Sequence, residues 1–237
     1  LALSMDVDVL VFTGSGPVGR RLLEYSAQSN LKRVYLELGG KSPSIVFDDV
    51  KDIAQAAKVT ANGMFRNSGQ VCVACSRLVV QRGIHDEFVA ELAKAAGSLK
   101  VGDPLDMTTQ VGAINSERQL LQSLGFVEKA TQEGGSIHTG GRRILQETGG
   151  YYMEPTIVTD VGIGDTLAQK EVFGPVLAVS AFDTEEEAVA MANGTEYGLS
   201  SGVWTSDLSR AHRMIRSVRA GVVHVNTYGG SDMTVPL

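Results

Sequence analysis

The chain has 237 residues, 43% of them hydrophobic, and a formal net charge of −6. That length and apolar content suffice for a substantial core in one or two domains, and the acidic balance gives no electrostatic reason to expect DNA or RNA as a partner. No apolar run of ~18 residues suggests a membrane span, the opening LALSMDVD has neither the basic start nor the cleavage site of a secretory leader, and two cysteines within CVAC make no disulfide framework, so a soluble, cytoplasmic protein is expected.

In chain order, VDVLVF is an apolar, β-branched run suited to a buried strand, and FTGSGPVG at 12–19 follows it. There Gly14, Gly16 and Gly19 spell G-x-G-x-x-G. With 27 glycines in the chain the pattern arises by chance ~0.3 times, so its weight comes from context. GRRLLEYSAQ reads as a helix opened by Pro17 and KRVYLEL as a second strand, completing a strand–turn–helix–strand unit of the kind that binds dinucleotides.

Beyond it, KDIAQAAKVTANGMF predicts a helix with Ile53, Ala56, Ala57, Ala61 and Met64 on one face, followed by the strand RLVVQ and the helix HDEFVAELAKAAG. VGDPLDMTTQVGAIN reads as a loop, and SERQLLQSLGFVEKATQEGG as a helix ending on Gly134 and Gly135. SIHTGGRRILQETGGYYMEPTIV predicts short antiparallel strands, GPVLAVSAF a buried strand, and Thr184 with Glu187 the capping box of TEEEAVAMAN. Glu185 to Glu187 lie in that helix's first turn, where the macrodipole favours acids. GVWTS, the helix LSRAHRMIRSVRA and the strand GVVHVN complete the chain. In that last helix Ala211, Met214, Ile215 and Val218 form the apolar stripe, leaving Arg210, Arg213, Arg216 and Arg219 as a solvated face. Alternating strands and helices predict an α/β fold, a mainly parallel sheet flanked by helices.

Two residues invite a chemical reading. Cys72, in NSGQVCVACSR, sits in a turn between a helix and a strand, where a lone thiol can be an exposed nucleophile. Paired with Cys75 it could instead belong to a metal or redox site, but no second ligand pair is visible and no metal is expected; both cysteines could also be small buried apolar residues. Glu37 ends KRVYLE at the carboxyl end of a strand, where ligands of open α/β sheets bind, and lies 23 residues beyond Gly14. An acid ~20 residues past the first glycine commonly holds a cofactor ribose; beside a nucleophilic thiol a carboxylate could serve as a general base for water. A plain surface glutamate is the third possibility.

LELGGKSP at 36–43, FRNSGQVCVACSR at 65–77, FTGSGPVG and KEVFGPV at 170–176, together with YYMEPTIV, EYGLSSGVWT and VNTYG, closely resemble the aldehyde dehydrogenase superfamily over nearly the whole chain. The resemblance implies that Cys72 is the nucleophile and Glu37 the general base; Cys75 falls where the family commonly has glycine and receives no role. It implies NAD or NADP as cofactor, with Gly14, Ser15, Val18, Gly19, Leu38, Glu171 and Phe173 around it and Gly14 and Ser15 favoured over Gly16, and an aldehyde oxidised to a carboxylic acid through a thiohemiacetal and a thioester. Members that transfer the acyl group to coenzyme A typically lack the glutamate, so hydrolysis is implied. The alternative is a catalytically silent relative, or a thiol or metal module using Cys72 and Cys75.

The resemblance also implies residues 1–38 as the C-terminal part of the dinucleotide-binding domain and 39–237 as a truncated catalytic domain. Family members are about twice as long, so a poorly active fragment is expected, without the asparagine of the oxyanion hole, the lysine that contacts the cofactor ribose, the glycine-rich GG-[FY]-K-x-SG segment and the strand used in oligomerisation. The full-length protein is expected to be a homo-oligomer, dimer or tetramer. GGSDMTVP resembles the corresponding stretch of bacterial members acting on aminoaldehydes such as γ-glutamyl-aminobutyraldehyde.

Overall fold

A computed structural model describes residues 1–229, so the GGSDMTVP stretch lies, after Gly229, outside the described residues. The chain forms two compact units, Leu1–Gly40 and Lys41–Leu237.

In the first unit, β1 (Val9–Thr13) and β2 (Arg33–Glu37) are parallel neighbours in register from Val9 opposite Arg33 to Thr13 opposite Glu37. Parallel neighbours need a crossover connection, here α1 (Gly16–Ala27) with Pro17 in its first turn. A side chain on Gly19 would strike Leu38 and Leu36, so α1 covers the face carrying those leucines. The other face is open: Val9 is 49% exposed, Val11 74% and Tyr35 55%. The expectation of a buried first strand is therefore corrected. One helix covers one face of a two-stranded sheet, and the strand's alternate residues point away from it.

The second unit is built from β3 (Pro43–Val46), α2 (Ile53–Phe65), β4 (Arg77–Gln81), α3 (His85–Gly97), α4 (Glu117–Gln132), β5 (Ser136–Thr139), β6 (Arg143–Ile144), β7 (Tyr152–Met153), β8 (Thr156–Thr159), α5 (Thr166–Gln169), β9 (Val176–Phe182), α6 (Glu185–Asn193), β10 (Ser200–Trp204), α7 (Leu208–Ser217) and β11 (Val222–Val225). Its seven-stranded sheet runs β11-β10-β3-β4-β9-β8-β5, parallel except for β5 against β8, while β6 and β7 pair antiparallel on their own.

Both faces of this sheet are covered, as a parallel sheet requires. Leu78 and Val80 of β4 pack in the core that holds α2 and α3, and Val79 between them packs with Phe182, Ala188 and Met214 under α6 and α7. The α2 face is the predicted one, with Ala56, Ala57, Ala61 and Met64 buried and Thr60 added. The Thr184–Glu187 capping box forms as expected.

β3 has no counterpart among the expected elements, since Ser42, Pro43 and Ser44 carry no strand pattern; Pro43 is tolerated as the strand's first residue. Two readings of detail are corrected. Ile215 is 42% exposed, outside the buried stripe of Ala211 and Met214. Arg210 is only partly solvated: its guanidinium lies over the Phe47 ring, 4.6 Å from the centroid, and pairs with Asp49 at 3.1 Å.

Candidate active site

In the large unit the motif segments converge topologically. LGGKS leads into the amino end of β3, NSGQVCVACS into that of β4, EVFGP into that of β9 and the EYGL turn into that of β10, and these four strands are contiguous in the sheet.

The Cys72 segment is held by backbone geometry few sequences tolerate. Asn67, Ser68 and Gly69 all have positive φ, 52°, 57° and 69°, a conformation that costs a non-glycine residue ~1 kcal/mol or more and recurs at functional sites. Side chains lock the run. Ser68 Oγ donates to the Gly112 carbonyl at 2.6 Å, Asn67 Nδ2 donates to the Gln70 carbonyl at 3.0 Å, and Gln70 Oε1 accepts from the Asn115 amide at 3.0 Å. Gly69 has no alternative, since a Cβ there would lie 2.3 Å from the Gly174 carbonyl oxygen. The Cys72 and Phe173 segments are thus in backbone contact.

Phe173 also has positive φ, 54°, and the residue is 37% exposed. It is no ordinary core aromatic. Its loop is fastened to α4: Gln119 Nε2 donates to the Val172 carbonyl at 2.8 Å, and a Cβ on Gly174 would strike Ser123 Oγ. Glu171, on the same loop, is half-buried.

The two thiols differ in kind. Cys72 is half-buried in the turn closed by the Ala74 amide donating to the Val71 carbonyl at 2.9 Å. Cys75 is wholly buried and donates to the Thr60 carbonyl at 3.3 Å, and burial pushes its thiol up to about 12. A buried thiol of that kind is inert, which removes the physical basis for a Cys72–Cys75 pair. Among the described residues no three His, Cys, Asp or Glu side chains are grouped to hold a metal ion.

Two basic residues carried by these motifs received no role from the sequence. Arg77 is buried and donates to three carbonyls, Lys41 (2.9 Å), Met191 (2.7 Å) and Ala192 (2.8 Å), so it caps the carboxyl end of α6 while pinning the entry to β3. Lys41 is 1% exposed and its Nζ has no hydrogen-bond partner. Burial, with Arg77 adding to it and Glu171 opposing, lowers its pKa to about 7. The run GGKSP held the only advance signal of Lys41, and it gives no hint of burial.

In the small unit the candidates gather at the carboxyl ends of β1 and β2. The Gly14 amide donates to the Glu37 carbonyl at 3.0 Å, and Ser15 is the N-cap of α1, makes no side-chain cap bond and is followed by no acid in the first turn. A 12-residue helix with its amino end left in that condition suits an anion such as a pyrophosphate. Gly14, Ser15, Val18 and Glu37 are exposed and Leu38 is half-buried. Gly19 is buried against Leu38, so its missing side chain serves helix–strand packing, and Gly16 has nothing within 4 Å of where a Cβ would stand. Glu37 and Cys72 belong to different units.

The family model for aldehyde dehydrogenases matches residues 1–237. The chain belongs to the aldehyde dehydrogenase family. Among relatives of this aldehyde dehydrogenase chain, an Escherichia coli NADP/NAD-dependent aldehyde dehydrogenase, PuuC, is 45% identical over 231 residues, 98% of this chain and 46% of that protein. A solved indole-3-acetaldehyde dehydrogenase with NAD+ is 50% identical with a TM-score of 0.98, covering 100% of this chain and 48% of that one. A solved γ-glutamyl-γ-aminobutyraldehyde dehydrogenase from Burkholderia cenocepacia is 50% identical with a TM-score of 0.95, covering 98% and 47%. This chain spans about half the length of the relatives it matches. Among its described residues no helix is long and apolar enough to cross a membrane.

Proposed function

We propose that this chain carries the nucleophile and the general base of an NAD(P)-dependent aldehyde dehydrogenase, with Cys72 and Glu37 in those roles. The observation that carries the reading is the locked, left-handed run at 67–69, which packs on the Phe173 loop through Gly69 and Gly174 and leads into the half-buried Cys72, while Cys75 is sequestered. Bound NAD(P)+ supplies the two-electron, hydride-accepting chemistry. Gly14 and Ser15 would hold its pyrophosphate at the amino end of α1, with Val18, Gly19 and Leu38 lining that end and Glu171 and Phe173 at the nicotinamide ribose and ring.

The remaining steps belong to the chain. Cys72 adds as thiolate to the aldehyde carbon, and its own backbone N–H donates to the developing oxyanion. Loss of hydride leaves an acyl thioester on Sγ. Glu37 then takes a proton from water, the hydroxide adds to the thioester carbon, and the acid departs as the thiolate is restored.

By itself, the 237-residue chain is proposed to turn over little or no substrate, because it matches less than half of each of these relatives. Within the longer protein an aminoaldehyde is the proposed substrate class, supported by the GGSDMTVP stretch and by the name of the Burkholderia relative, and a cytoplasmic homo-oligomer is the proposed state. The test is alkylation of the chain with iodoacetamide at pH 8, read by peptide mass spectrometry. Cys72 is expected to react at least ~100-fold faster than Cys75, and equal rates, or stoichiometric zinc, would favour the thiol-module alternative. An aldehyde panel with NAD+ tests the rest: robust acid formation by the chain alone refutes the inactivity, and a preference of the longer protein for indole-3-acetaldehyde refutes the substrate class.

A further inference from the structure

Tyr228 follows β11 and lies outside every role assigned so far. The residue is 8% exposed, and two glycines make room for its ring. A Cβ on Gly63 would stand 2.8 Å from Tyr228 Cδ1, and one on Gly202 2.7 Å from Cδ2. Gly63 lies inside α2 and Gly202 inside β10, positions where glycine costs ~0.5–1 kcal/mol relative to alanine. Two local penalties at one ring mark a built seat rather than incidental packing.

The seat aims the phenol at the nucleophile turn. Tyr228 Oη donates to the Val73 carbonyl at 2.6 Å, one residue past Cys72. The 71–74 turn is held by local backbone bonds, the Ala74 amide on the Val71 carbonyl and the Ser76 amide on the Ala74 carbonyl, and by the Tyr228 hydroxyl from a distant part of the chain. The hydroxyls of Ser42 and Ser200, at the amino ends of β3 and β10, lie beside the phenol, and burial raises its pKa, so it keeps its proton over any working pH.

We propose that Tyr228 is a positioning residue for the thiol: its hydroxyl clamps the Val73 carbonyl and thereby fixes the turn that presents Cys72. The role of Cys72 as nucleophile is taken from the function proposed above, whereas the clamp is measurable without it.

The test compares the 237-residue chain with Tyr228→Phe, which keeps the ring and removes the hydroxyl, and with Gly202→Ala, which displaces the ring and keeps the hydroxyl. Hydrogen exchange is read at Ala74 and at Val79 and Val80 of β4, and iodoacetamide labelling at both cysteines. Loss of the bond is expected to speed Ala74 exchange about tenfold in both variants, and Cys72 labelling with it. The β4 amides keep their wild-type rates and Cys75 stays unlabelled. Ala74 exchange within about twofold of wild type in Tyr228→Phe overturns the clamp. So does a rise shared by β4, or a variant that does not fold, since the hydroxyl would then serve the fold as a whole. Equal labelling of Cys72 and Cys75 in the wild-type chain instead removes the nucleophile reading, and the positioning role falls with it even where the clamp is found.

Discussion

The two units place their candidate residues at opposite ends of their strands. In the small unit Gly14, Ser15 and Glu37 stand at the carboxyl ends of β1 and β2, where a helix amino terminus follows the first strand and ligands of open α/β sheets commonly bind. In the large unit Lys41, Cys72 and Phe173 precede the amino ends of β3, β4 and β9. The carboxyl side of that sheet has a cavity of about 300 Å³, lined by Lys51, Trp204, Asp207 and Asn226 among others, and neither Cys72 nor Phe173 reaches it. A rule about strand polarity therefore points to the proposed anion site where a strand feeds a helix, and it points only to a hollow in the unit whose candidate residues lie on loops entering strands. In the large unit the candidate is marked instead by backbone held against its preference, at 67–69 and at Phe173.

That contrast can be broken at Gly69. Gly69→Ala adds a Cβ 2.3 Å from the Gly174 carbonyl on a backbone with φ of 69°, and is expected to cost ~3 kcal/mol in urea unfolding and to alter Cys72 labelling. Asp49 tests the carboxyl side. It accepts from Thr205 Oγ1 at 2.8 Å and the Asp207 amide at 3.1 Å and pairs with Arg210, so Asp49→Ala is expected to cost ~2 kcal/mol and leave the Cys72 labelling rate unchanged. A changed rate would mean that the two sides of the sheet are coupled.

Lys41 sharpens the comparison through pH. Its folded pKa of about 7 lies below its ordinary 10.5, so between these values the unfolded chain holds a proton the folded chain has released, and stability rises with pH. Below pH 7 the penalty is complete and constant; above about 10 it is gone. Lys41→Met removes this term, and the wild-type stability slope should exceed that of the variant by up to ~1.4 kcal/mol per pH unit between pH 7 and 10. Equal slopes would show that Lys41 stays charged in the fold. The smallest effect belongs to Gly16, which has open space around it: Gly16→Ala should shift stability by less than ~0.5 kcal/mol and leave NAD+ binding by the proposed longer protein unaltered, in contrast to Gly14, whose Cβ would meet the Phe12 ring at 2.4 Å.

Much of this was legible in the residues. Periodicity located α2, α3, α4, β4 and β9, and the Thr184–Glu187 spacing gave a cap because capping is a local hydrogen-bond pattern. What escaped depends on tertiary contact. β3 hides behind Ser42 and Pro43, whose turn preference yields to burial between β4 and β10. Arg210 looks like its neighbours Arg213 and Arg216 until Phe47 and Asp49 meet it. Cys72 and Cys75 are the same residue type three positions apart, and only their burial separates the proposed nucleophile from a sequestered thiol. Tyr228 was visible merely as a letter in VNTYG, because the glycines that seat it are 26 and 165 positions away.

The outward face of the small unit has a practical consequence. Val9, Val11 and Tyr35 form an apolar strip on a sheet that, among the described residues, has two strands, and such a surface templates association between molecules at high concentration. Placing one lysine at Val11, which faces solvent opposite Tyr35, is the simplest route to a sample that stays dispersed during concentration and storage.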